Sequence, residues 1–94
     1  MKAIIDDKLY DTDKSELLFA HTKIEWILII PIITKTKYYK TKNGNYFAVE
    51  RDYSGTSMYS LTHEEYEFKL YMYKKSLECN PNRYIKEFGE VDEA

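Results

Sequence analysis

Ninety-four residues suffice for one modest hydrophobic core and not for two domains. A hydrophobic fraction of 44% against 32% charged residues excludes a disordered chain, and a formal charge of −2 supplies no global pull toward nucleic acid. A lone cysteine, Cys79, excludes an internal disulfide and a cysteine-based metal site, and suits a reducing cytoplasm.

Lys2–Ile5 and Lys8–Tyr10 are short extended runs flanking Asp6-Asp7, and read as a small N-terminal hairpin. Met1–Ile5 runs at once into those aspartates, so no secretory signal is expected there. Asp11-Thr12-Asp13 supplies helix-starting residues, with Glu16 three positions after Asp13 as in a capping box. The spacing predicts a short helix from about Thr12 to His21 that buries Leu17 and Leu18. Ile24–Thr34 (IEWILIIPIIT) is almost continuously apolar, as suits a strand covered on both faces. Pro31 there demands a bend, a bulge or an edge. The run is about half the length of a membrane span and holds Glu25, so a soluble protein is expected.

Asn43-Gly44 lies between two runs rich in β-branched and aromatic residues, the strongest short-range hairpin signal. As a two-residue type I′ loop it places Lys42 opposite Asn45, Tyr38 opposite Val49, Lys40 opposite Phe47 and Lys37 opposite Glu50. One face then carries Tyr38, Phe47 and Val49 and is expected to be buried. The other carries Lys37, Tyr39, Thr41, Tyr46 and Glu50 and is expected to be wet. Lys35, Lys37, Lys40 and Lys42 alternate between both faces, which argues for edge solubility over a nucleic-acid patch.

Asp52–Ser57 is a loop by composition, and Met58–Leu61 can add a short edge strand. Thr62, with Glu65 three residues on, starts a helix that runs to about Leu77. Tyr66, Leu70, Tyr73 and Leu77 form its inner stripe. Phe68, Tyr71 and Met72 form a second strip, to be covered by the next helix or left as a self-association surface. Asn80-Pro81 opens that last helix, Tyr84, Ile85 and Phe88 line it, and Gly89 ends it. The expected architecture is α+β: a small antiparallel sheet, made of the N-terminal hairpin and the central Asn-Gly hairpin, packed against two or three helices.

No catalytic constellation stands out. His63-Glu64-Glu65 lacks the second histidine of a zinc-protease helix, and Asp6, Asp7, Asp11 and Asp13 lack the glycine and terminal glutamate of a calcium loop. Neither a cofactor nor a metal is expected. Ten tyrosines are more than so small a core can hide, and exposed tyrosines favour protein contacts.

LYDTDKSELL (Leu9–Leu18), YKTKNGNYF (Tyr39–Phe47), SLTHEEYE (Ser60–Glu67) and YIKEFGEVDEA (Tyr84–Ala94) occur in an order that resembles a group of small proteins. That group is encoded by phages and mobile elements of Gram-positive bacteria, and some members act as anti-CRISPR inhibitors of the type II nuclease Cas9. The resemblance implies a non-enzymatic protein of the host-cell cytoplasm that binds a defence nuclease. The expected contact residues are Lys37, Tyr39, Thr41, Tyr46, Asp52, Tyr53 and Tyr59. Self-association, through Ile24–Ile33 or through Phe68, Tyr71 and Met72, is the alternative, with weak nucleic-acid binding a third.

Overall fold

A computed structural model describes residues 1–94. The elements are β1 (Lys2–Ile5), β2 (Lys8–Asp11), β3 (Glu16–Ile27), β4 (Ile30–Lys40), β5 (Tyr46–Asp52), β6 (Gly55–Leu61), α1 (His63–Leu77) and α2 (Pro81–Phe88). β1 and β2 form a two-stranded ribbon, and β3-β4-β5-β6 form an antiparallel meander in chain order. The fold is α+β, with the helices on one face of the four-stranded sheet and the N-terminal ribbon on the other.

Each face has its own aromatic core. On the helix side, Phe19, Tyr38 and Ala48 lie in register across β3, β4 and β5 and meet Tyr66, Tyr73 and Leu77 of α1. Phe19 is the hub, stacked on Tyr38 at 4.4 Å and on Tyr73 at 4.7 Å between ring centroids. On the ribbon side, Tyr39 and Phe47 face each other across β4 and β5 with rings 5.1 Å apart, and Tyr10 of β2 closes over Phe47. Phe47 is thereby fully buried.

The helix boundaries follow local chemistry. Thr62 caps α1 and Glu65 returns a bond to the cap backbone, a complete capping box. Asn80 caps α2, Pro81 takes its first turn and Gly89 ends it at φ +90°. Of the predicted inner stripe, Tyr66, Tyr73 and Leu77 are buried and Leu70 is partly buried against the same core.

Three expectations are corrected. Glu16–His21 is strand, not helix: the helix-starting residues close only a single 3-10 turn at Thr12–Lys14, where Asp11 accepts from the Asp13 amide. The strand prevails because Phe19 can reach Tyr38 and Tyr73 only from an extended backbone lying beside β4, a tertiary contact that outweighs local signals. A β-bulge at Leu18 then turns that side chain toward the same core.

The Asn43-Gly44 hairpin exists, but with a three-residue loop. The Thr41 carbonyl accepts from the Gly44 amide, Gly44 sits at φ +83°, and Thr41 and Asn45 close the ladder. Tyr39 therefore opposes Phe47, and Lys37 opposes Val49, one step from the type I′ register. That step moves Tyr46 to the helix side and leaves Tyr39 with Phe47 on the other. The type I′ geometry appears instead at Asp6-Asp7, both with positive φ.

Ile24–Thr34 is the third correction. It is not one strand sandwiched on both faces; it folds back on itself at Leu28-Ile29.

Candidate functional site

β3 and β4 pair over their full lengths, from Glu16–Lys40 to Ile27–Ile30. β5 pairs with β4 only between Lys40 and Lys35, because β5 turns into β6 at Asp52. The far part of the β3–β4 hairpin therefore leaves the body as a two-stranded arm about 20 Å long, at about 3.3 Å per residue. Its projection is measurable: the radius of gyration is 15.1 Å, against about 12 Å for a compact chain of this length.

The arm is apolar on every side. Strand alternation places Ile24, Trp26, Pro31 and Ile33 on one face and Ile27, Ile30 and Ile32 on the other. Trp26 is 66% exposed, and Leu28 and Ile29 at the tip are 92% and 89% exposed. Ile24, Ile27, Ile30 and Ile33 are also exposed. Large apolar side chains clustered in this way on a surface mark interaction sites. Polar relief comes from Glu25, in an ion pair with Lys23, and from Thr34 at the base.

Two local features hold the tip. Leu28, first central residue of the two-residue turn, has φ +57°, a conformation usually given to glycine. Pro31 avoids breaking the β3–β4 ladder. Alternating outward from the Thr41–Asn45 bond, odd-numbered β4 residues direct their backbone groups toward β5, and β5 has ended before Pro31 is reached. The open β4 edge beside Ile33 then borders a groove of about 690 Å³, lined by Ile27, Ile30, Ile32, Lys35, Arg51 and Tyr53.

The seven expected contact residues do not form one surface. Tyr53 is 86% exposed on the β5–β6 turn and joins the groove beside the arm, with Asp52 next to it. The Ser54 hydroxyl and then the Ser54 amide, both donating to Asp52, hold its carboxyl below the usual carboxylate range. Lys37 and Tyr39 lie on the ribbon side of the sheet. Thr41 fastens the Asn43-Gly44 loop by accepting from the Asn45 amide.

Tyr46 and Tyr59 are half-buried on the helix side, Tyr46 stacked on Tyr66 and Tyr59 beside Tyr38. Burial pushes the Tyr38 phenol up to about 12, helped by Tyr59 and by the Glu50 charge, and burial also raises Tyr59. Phe68, Tyr71 and Met72 all remain exposed, because α2 lays Phe88 against Tyr73 instead. Near that contact Glu87 accepts from the Tyr73 hydroxyl, whose pKa is raised first by burial and then by this bond.

The arm's exposure has no signal within Ile24–Ile33 itself; it follows from β5 pairing with β4 only over Lys35–Lys40. No group of three or more metal-ligating side chains comes together, and no helix is long and apolar enough to cross a membrane. Compared with protein-family models, curated proteins and solved structures, the chain matches none.

Proposed function

We propose that this is a non-catalytic binding protein of a mobile element, which acts by inserting its apolar arm into a cleft of a partner protein. The observation that supports this is exposure of large apolar side chains on both faces of the arm and around its tip. A flat interface would cover one face and leave the other wet; a cleft covers both. The arm also presents Trp26, a residue type that dominates binding energy when enclosed. The groove beside it adds Tyr53 and the charged rim of Lys35, Arg51 and Asp52.

The sequence resemblance supplies the first partner to test, a Cas9-type nuclease, with the cytoplasm as the place of action. The test is DNA cleavage by that nuclease in the presence of wild-type protein or of the variant Leu28→Asp/Ile29→Asp. Inhibition by wild type and its loss in the variant, with unchanged thermal melting of the protein itself, supports the reading. Full cleavage with excess wild-type protein rejects the nuclease, and full inhibition by the variant rejects the arm.

Self-association is the second reading, favoured by the bare strip of Phe68, Tyr71 and Met72. A monomer mass in sedimentation across rising concentration would remove it.

A further inference from the structure

We propose that the groove on the ribbon side of the sheet, at the base of the arm, is a binding site for a phosphate group. It has a volume of about 410 Å³ and is lined by Met1, Thr12, Lys35, Lys37, Tyr39, Val49 and Arg51, with no carboxylate among them. Lys35 stands directly across from Arg51, and Lys37 lies two residues along β4 on the same face. The first pair places two Cβ atoms about 5.5 Å apart and the second about 7 Å, so three cationic side chains border one groove that has room for a phosphate group. Like charges set opposite each other across strands oppose folding. Such a pair is tolerable when the groove receives an anion.

No salt bridge engages these groups. Arg51 donates only to the Thr56 hydroxyl, at 3.3 Å, which leaves the rest of its guanidinium free. Along this face the neighbours in register are Thr22, Ala20, Val49, Met58 and Thr56, and none is acidic. Glu25, Glu50 and Asp52 all belong to the opposite face by strand alternation. Arg51 offers a planar fork suited to two phosphate oxygens, and the lysines add point charges on either side. The Tyr39 ring beside them can contribute a hydroxyl donor. Separating the lysines by sequence alternation missed this site, because Arg51 arrives from the neighbouring strand.

A phosphate group could reach this groove as a free phosphate or as the backbone of single-stranded nucleic acid. The proposal is independent of any partner protein, and its test uses the purified chain alone. Inorganic phosphate is titrated by NMR, and a labelled single-stranded thymidine oligonucleotide by fluorescence anisotropy, each at low and at moderate salt. Wild type is compared with Lys35→Gln/Arg51→Gln and with the control Lys69→Gln/Lys86→Gln on the helices. The expected result is amide shifts around Lys35, Lys37 and Arg51, with affinity reduced about tenfold or more in the first variant and unchanged in the control.

Tighter binding of the oligonucleotide with a steep salt dependence assigns the site to nucleic-acid phosphates. Equal, weakly salt-dependent binding assigns it to a single phosphate. Loss of repulsion should let Lys35→Gln/Arg51→Gln melt no lower than wild type, so failure to fold is not the expected confounder. Phosphate should raise the melting temperature of wild type and not of this variant. Absence of shifts with both probes, or equal weakening in the control, overturns the proposal.

Discussion

Tyr46 lies flat on Tyr66, with ring centroids 4.2 Å apart and 11° between the planes, and this pair ties β5 to α1. Its position on the helix side makes Tyr46 a packing residue. Tyr46→Ala removes the stack and opens a gap under the helix, and is expected to destabilise the fold by about 2 kcal/mol, while Tyr46→Phe keeps nearly all of it. Urea unfolding measures both, with a lower midpoint and an unchanged slope for the alanine variant.

The central loop yields a paired prediction. Gly44 has φ +83° with open space where a Cβ would stand, so Gly44→Ala should cost about 1 kcal/mol through backbone strain alone. Asn43 has an ordinary negative φ, so Asn43→Ala should change stability by less than about 0.5 kcal/mol. A type I′ loop would make both substitutions costly. Equal losses in the two variants would therefore return the hairpin to the register expected from its sequence.

What could be read in advance was whatever a few neighbouring residues decide. The Thr62–Glu65 capping box and the Asn80-Pro81 start are closed by atoms within one turn, and both helices lie where the residues place them. Glu16–His21 could not be read this way, since its strand state depends on Tyr38 and Tyr73, distant in the chain. The register of β4 and β5 was ambiguous for another reason. Both faces of the sheet are covered, so Tyr38 and Phe47 are each buried while pointing in opposite directions, and hydrophobicity cannot tell which shares a face with which. The arm's exposure depends on where β5 stops, a property of Asp52 and the turn after it and not of Ile24–Ile33 at all. A buried strand and a bare arm have the same composition.

Alkaline pH should unfold the protein in a window set largely by Tyr38. Burial, then Tyr59 and Glu50, lift its phenol from an ordinary 10 to about 12. A raised folded pKa means that this contribution is fully present below about pH 10 and is lost as pH climbs through about 12. The loss is at most about 3 kcal/mol, since the pKa rises by about two and each pKa unit is worth about 1.4 kcal/mol. Tyrosinate absorbance should show a late phase, with Tyr38→Phe shortening it and moving alkaline unfolding to higher pH. An unchanged late phase in that variant would reassign it to Tyr59, Tyr66 and Tyr73, whose pKa values burial also raises.

At the tip of the arm, stability and binding should respond in opposite directions to a single change. Leu28 holds φ +57° and is 92% exposed, so its side chain incurs left-handed backbone strain of about 1–2 kcal/mol and gains no internal packing in return. Glycine adopts that conformation freely, and Leu28→Gly is expected to stabilise the isolated protein by about 0.5–1 kcal/mol. The same substitution removes the most exposed apolar group on the arm, so partner binding should weaken. Melting and binding measured on one preparation decide the matter. A stabilised variant with undiminished binding would take Leu28 out of the contact, and a destabilised variant would show that the turn is not strained at this residue. A higher melting temperature together with weaker binding is what a residue kept for an outside contact, at the expense of its own fold, should produce.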